Sequence, residues 1–359
     1  MMMKKGKYIL TTLCVFVIIS SCKKEPEPTS KPAEGNINLQ ILAGVSTNVV
    51  QATYNDLNIK ADALYQNVVA LQSSVTDADL TKCKQSWKDA RSAWEQSEGF
   101  LFGPVATNDI DPRIDTWPVA FGRLDSVLSS TAVFSSAYVD SLEDALKGFH
   151  PIEYLLFGKN GNKNASQLTV REMDYLKALT FDLRKLVMEL ADTWNPVLTN
   201  NYHSLFVNPG SGNNTYASKR AVFEEMVNAM AGICDEVANG KLAEPFTKLD
   251  PSLEESPFSS NSITDFTSNI KSVQNVYFGK YINDGKGIED LVRQYNLSLD
   301  GNIKTKLSTA LAALQGITVP FGQAITQQPN QVSNAITAIN ELKDVIENNL
   351  LPFVQQYGQ

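Results

Sequence analysis

From Val45 onward, apolar residues recur at three-and-four spacing almost to the C-terminus, and that period points to helices throughout. Leu57, Ala61, Leu64 and Val68 form one stripe within a long segment, 45–75. A second helix starts at Asp77 or Asp79, either of which is a suitable N-cap, and runs to about Phe102. Trp87, Ala90, Arg91, Trp94 and Glu98 fall on one side of it. The same spacing predicts helices over 119–128, 138–147, 169–194, 217–239, 262–280, 288–297, 300–315 and 331–355. Prolines lie mainly at the junctions, where a missing backbone N–H does least harm. No strand meander or strand–helix alternation interrupts the pattern, so the expected fold is all-α.

The chain opens differently. Lys4, Lys5 and Lys7 precede an apolar run, 8–19, that is short for a membrane span and suits the core of a signal peptide. Ile19-Ser20-Ser21-Cys22 then resembles a bacterial lipobox. This divides the chain into a signal peptide, 1–21, and a flexible linker, 22–35, behind a lipidated Cys22. Pro26, Pro28 and Pro32 among charged and small residues cannot build a core there. Several acyl chains anchor stably. Lys23 rather than Asp after the cysteine disfavours inner-membrane retention, so the expected location is the outer membrane, with the folded part outside the cytoplasm. The segment 195–218, rich in Asn, Gly, Ser and Pro, is the best boundary between two domains, 36–200 and 201–359.

Removing the leader, with its three lysines, takes the formal charge from −8 to −11. An acidic chain without basic runs makes a poor nucleic-acid partner. No phosphate-cradling glycine loop or dinucleotide fingerprint is present. Of the cysteines, Cys83 and Cys234 remain in the folded part; they lack metal-site spacing and are expected as two buried free thiols.

The chain has two histidines. His203 falls in the 195–218 segment and is expected to be solvated. The other lies in Lys147-Gly148-Phe149-His150-Pro151-Ile152-Glu153-Tyr154-Leu155-Leu156-Phe157-Gly158. On a helix, His150 and Glu153 share a face, and an imidazole with a carboxylate suits a borderline metal such as zinc or iron. Two ligands need at least one more from elsewhere. The same residues also read as a cap, with Pro151 first in the helix, His150 the N-cap and Glu153 bonded back to the N-cap amide. Spacing leaves both readings open.

Glu98, on an otherwise apolar face, needs Arg91 or a metal as partner. Glu98–Gly103 and Glu153–Gly158 echo each other: carboxylate, large apolar residues, glycine. Two paired helix ends offering glutamates to one pocket would give that pattern, as would two ordinary glycine-capped helices. Segment 108–118 reads as irregular, with Asp109, Asp111 and Asp115 as turn formers and caps.

Gly148-x-His150-x-x-Glu153 with Tyr154–Gly158 resembles the signature of the imelysin family. Trp87, Ala90-Arg91, Trp94–Pro104 and Asp109–Pro118 match a second block, and Glu255–Ser259 with Asn275–Gly279 a third. The family is classed among metallopeptidases and includes iron-regulated bacterial surface proteins. The resemblance implies two helical-bundle domains with a cleft between them. It adds Asp115 to His150, Glu153 and Glu98 as metal ligands, with Arg91 and Ser256 as cleft residues. It implies iron or zinc, and a role in iron handling or iron-responsive uptake. The partners would be the membrane through the lipid anchor, a metal or metal complex, and a protein of an uptake system. Peptide hydrolysis is the alternative, although the His-Glu-x-x-His zinc helix is missing. A third reading is a metal-free cleft that binds peptide or glycan.

Overall fold

The computed structural model describes residues 34–359. The leader, Cys22 and nearly all of the linker lie outside the described residues. Within the described residues the chain is helical with no strand, and none of these helices is long and apolar enough to cross a membrane. Gly35–Gln359 forms one compact unit.

The elements that position the site are α1 (Ala52–Ser74), α2 (Asp77–Glu95), α3 (Ile110–Asp115), α4 (Phe149–Phe157), α5 (Val170–Thr193), α6 (Lys219–Asp235), α7 (Ser262–Phe278), α8 (Leu297–Gln315) and α9 (Pro329–Val345). In the first half α1 packs against α2 and α5, and α4 fits between α2 and α5. The predicted stripe Leu57, Ala61, Leu64, Val68 is buried, and Leu80, Cys83, Trp87, Ala90 and Trp94 form the buried stripe of α2. In the second half α6 packs on α7 and α9, and α8 on both α7 and α9. Contact between α2 and α7 joins the two sets.

Several boundaries differ from the sequence reading. The N-cap of α2 is Thr76, whose hydroxyl accepts the Asp79 N–H, so neither Asp77 nor Asp79 is the cap. This helix stops at Glu95, and Glu98–Phe100 form a separate 3₁₀ turn. The segment 108–118 is not irregular throughout, because α3 lies inside it. The 138–147 helix is replaced by two short pieces, Ser136–Asp140 and Asp144–Leu146. Thr169 caps α5 through a capping box with Glu172.

Three helices expected to be uniform contain wide π turns, at Val45–Gln51, Glu236–Leu242 and Ile346–Leu350. The first leads into α1, the second follows α6 and the third follows α9. Cys83 and Cys234 are buried and free. His203 is half-buried in the short helix Tyr202–Val207, within hydrogen-bond distance of Ser46 Oγ through Nδ1 at 2.8 Å, and is not the solvated loop residue expected.

Candidate functional site

Where α2 and α7 meet, the core turns from apolar to charged, and Arg91 is the centre of that region. Its guanidinium is fully buried. Nη1 donates to Asp115 Oδ1. Nη2 donates to Glu255 at 2.9 Å and lies 2.5 Å from Glu95, while Asp265 lies 3.9 Å from Nε. Burial opposes the charge, but Asp115, Glu95, Glu255 and Asp265 outweigh it and hold the proton more tightly than usual. Arg91 therefore pairs with Asp115, Glu255 and Glu95, and not with Glu98, for which it was one of the two expected partners.

Asp115 is the last residue of α3 and is buried beside Ile114. The Trp94 indole N–H donates to its Oδ2 at 2.7 Å, and His150 Nε2 faces its Oδ1 at 3.1 Å. Burial alone would raise its pKa; Arg91 and His150 reverse that and hold the carboxyl well below the usual range.

Gly148 explains how α3 and α4 come so close. It is the N-cap of α4 with φ +80°, and a Cβ there would stand 2.3 Å from the Ile114 carbonyl oxygen. A side chain at this position would push Asp115 away from His150. The helix begins at Phe149, with Pro151 third and no side-chain cap. The capping reading of His150 and Glu153 is thus overturned. Glu153 turns inward, where the Ser259 N–H and hydroxyl donate to Oε1 at 2.7 and 2.6 Å. Its Oε2 lies 3.8 Å from His150 Nδ1, beyond hydrogen-bond range, and both atoms are buried without a hydrogen-bond partner. Burial disfavours a charged ring at His150, but Asp115 and Glu153 raise its pKa to about 9.

The second half closes the site. Lys241, buried in the π turn after α6, reaches Glu255 at 2.9 Å, Glu236 at 3.4 Å and Glu95 at 3.7 Å. Asn269 of α7 donates to Glu95 at 2.5 Å. Glu254 accepts from the Ser262 hydroxyl and the Gly322 N–H, and Asp265 from Asn261. Ser256 is buried beside Glu255, its N–H on Ser262 Oγ, and is not among the residues lining either cavity described below.

Glu98 and Glu153 are not equivalent helix ends. Gly158 closes α4, whereas Gly103 opens the next short helix, Pro104–Thr107. Gly99 has a different purpose: a Cβ there would meet Ser272 Oγ at 2.5 Å, so its absence lets α7 approach the Glu98 turn.

Seven carboxyls are buried here: Glu95, Glu98, Asp115, Glu153, Glu254, Glu255 and Asp265. Against them stand two permanent cations, Arg91 and Lys241, and the His150 imidazole. Burial raises Glu95 and Glu98 well above the carboxyl range, and raises Glu254 and Asp265 to about 7. The cluster therefore retains protons that a cation could replace. The donors suit one: single ligand atoms of Asp115, His150 and Glu255 lie within 4.8 Å of one another, as do those of Glu95, Glu98 and Asp115. Imidazole nitrogen with carboxylate oxygen fits iron or zinc, and Glu255 Oε2 is another buried acceptor without a partner.

Two cavities flank Trp117, which lines both. One, of about 40 Å³, touches His150, Glu254 and Glu255; the other, of about 210 Å³, touches Glu98, Asp111, Asp115 and Glu236. Sequence reasoning found Arg91, Glu98, Asp115, His150 and Glu153, which the fold brings into one region. It missed Glu95, Lys241, Glu254, Glu255, Ser259 and Asp265. The i,i+4 pair Arg91–Glu95 was a readable signal, and Glu255 and Ser259 lay within the third family block; for Lys241 the sequence carried none.

Residues 50–348 match the family model for imelysin, a peptidase family designated M75. The chain is 30% identical over 325 residues to iron-regulated protein A of Synechococcus elongatus, covering 89% of this chain and 87% of that protein. A crystal structure from Parabacteroides distasonis, described as an iron-regulated protein A precursor, superposes with TM-score 0.82 at 23% identity, over 92% of this chain and 97% of that one. An imelysin-like protein from Psychrobacter arcticum gives TM-score 0.72 at 13% identity, over 90% and 97%. Both structures share the fold.

Proposed function

The chain belongs to the imelysin family, and on that premise we propose that it binds a metal cation at the His150 centre as part of iron handling or iron-responsive uptake. The observation that carries this reading is the excess of buried carboxyls over Arg91, Lys241 and His150. His150, Asp115 and Glu255 would hold the ion, with Glu153 behind the ring on its Nδ1 side, and binding would expel protons. A relative's name speaks of regulation by iron, which makes iron the first metal to test and zinc the second.

Binding is preferred to peptide hydrolysis because the cavity beside His150 holds about one water at ~30 Å³ each and leaves no room for an extended peptide. The second histidine, bonded to Ser46, supplies no ligand to this centre. We further propose that Cys22 is lipidated and holds the folded part on the outer membrane, where a protein of an uptake system would receive the ion.

The deciding experiment is calorimetry of iron(II), iron(III) and zinc in buffers of different ionisation enthalpy, on the parent, His150→Gln and Glu255→Gln. Saturable binding with proton release, lost in both variants, is the expected result. Equal binding in all three, or none in the parent, sinks the metal reading and leaves a metal-free cleft. For the anchor, Cys22→Ala should abolish membrane fractionation or processing; unchanged processing and fractionation would disprove it.

A further inference from the structure

The cavity on the far side of Trp117 differs from the His150 chamber in size and lining. At ~30 Å³ per water, its volume of about 210 Å³ holds about seven waters, against about one in the 40 Å³ chamber. A cation with its hydration shell fits the first; only a stripped one fits the second. The acidic lining is graded, from Glu236, exposed at the mouth, through Asp111, half-buried, to Glu98, which is 5% exposed.

Glu98 is the anomaly. Each of the other six buried carboxyls in the cluster has a hydrogen bond: Glu95 from Asn269, Asp115 from Trp94, Glu153 from Ser259, Glu254 from Ser262, Glu255 from Arg91 and Asp265 from Asn261. Among the described residues, Glu98 has neither a hydrogen bond nor an ion pair, although it faces the cavity. The Glu98 oxygens are not sealed within protein but open onto this cavity, where water or a cation can meet them.

We propose that this cavity is a second, outer cation site for a hydrated, oxygen-preferring di- or trivalent ion. Glu98 forms its inner wall, and Asp111 and Glu236 its rim. Oxygen donors alone suit hard cations, whereas the inner centre adds an imidazole. Trp117 lines both cavities, with Lys241 Nζ 5.5 Å from its ring centre, and Asp115 joins them, lining the outer cavity while its Oδ1 faces His150. The outer site stands on its own geometry; only its role in loading the His150 centre rests on the function proposed above.

Terbium(III), a hard ion whose emission is sensitised by a nearby indole, is the probe. With the parent protein, excitation of tryptophan should give terbium emission, and lifetimes in H₂O and D₂O should show several retained waters. Asp111→Asn combined with Glu236→Gln should weaken terbium binding by about tenfold or more, and Trp117→Phe should cut the emission while calorimetry still detects binding. His150→Gln should keep the terbium signal even where it abolishes iron binding. No terbium binding in the parent, an unchanged affinity in the rim variant, or a signal lost in His150→Gln overturns the outer site. Terbium binding with no iron binding in the parent upholds it and removes only the reading of the inner centre.

Discussion

The α8–α9 seam and the Arg91 cluster are both buried and built from helices, yet they are held in opposite ways. In the seam, Ile303, Leu307, Ala310 and Leu314 bury against α9, which contributes Val332, Ala335, Ile339 and Leu342. These buried contacts are apolar, replaceable and indifferent to pH, and the Lys306–Glu341 ion pair lies at their exposed rim. In the cluster each stabilising contact answers a charge, and a group removed leaves another one stranded. The seam gives cohesion in small increments, while the cluster holds a geometry whose members depend on one another.

The largest expected effect tests that dependence. Arg91→Met strands Asp115, Glu95 and Glu255 and should cost about 3–5 kcal/mol in urea unfolding, or prevent folding. A loss below 1 kcal/mol would show that the cluster does not depend on its guanidinium. In the seam, Leu307→Ala should cost about 3 kcal/mol, equally at pH 5 and pH 8; a pH-dependent loss would erase the contrast. Gly148→Ala should cost about 1–3 kcal/mol through its φ and the Ile114 contact. It should also lower the His150 pKa, because Asp115 is pushed away; a proton titration of the ring followed by NMR would check this.

pH separates the regions further. His150 titrates at about 9 in the fold, and Glu254, Asp265 and Asp111 at about 7. All are raised, so their stabilising protons are fully present below the unfolded values and are lost as pH climbs through 7 and then 9. Asp115 is depressed and acts in the opposite sense, its contribution fading only in acid. The metal-free protein should therefore melt on the order of a few degrees lower at pH 9 than at pH 6, and Glu254→Gln should shrink that difference. A flat melting temperature from pH 6 to 9 would contradict the raised carboxyls. The smallest effect should be that of Glu153→Gln, about 1 kcal/mol, because the amide oxygen still accepts from Ser259. The His150 pKa should nonetheless fall, and an unchanged ring titration would dissociate the two residues.

The seam was legible in the sequence and the cluster only in part. Apolar periodicity marked the stripes of α1 and α2 because burial there follows the helical repeat. The breaks were harder to read. The α2 pattern ran on to Phe102, since Phe100 and Phe102 are buried in the turn beyond the true end at Glu95. Asp115 came only with the family resemblance, whereas His150 and Glu153 stood out by their i,i+3 spacing and Glu98 by its apolar face. Lys241 did not, because a π turn departs from the 3.6-residue repeat that a periodicity argument assumes. Ser259 lay inside the third family block, but its pairing with Glu153 could not be read there, because the two meet 106 positions apart.

Arg91 has one further consequence. A site that recruits its positive charge from the backbone's own side chains does not wait for supply in order to exist. Where a zinc finger is unfolded without its ion, this chain brings a tethered guanidinium to the centre of the acids. Under the metal-binding proposal, chelation should then empty the protein without unfolding it, so that scarcity and abundance would decide how much of it is filled rather than how much of it is folded.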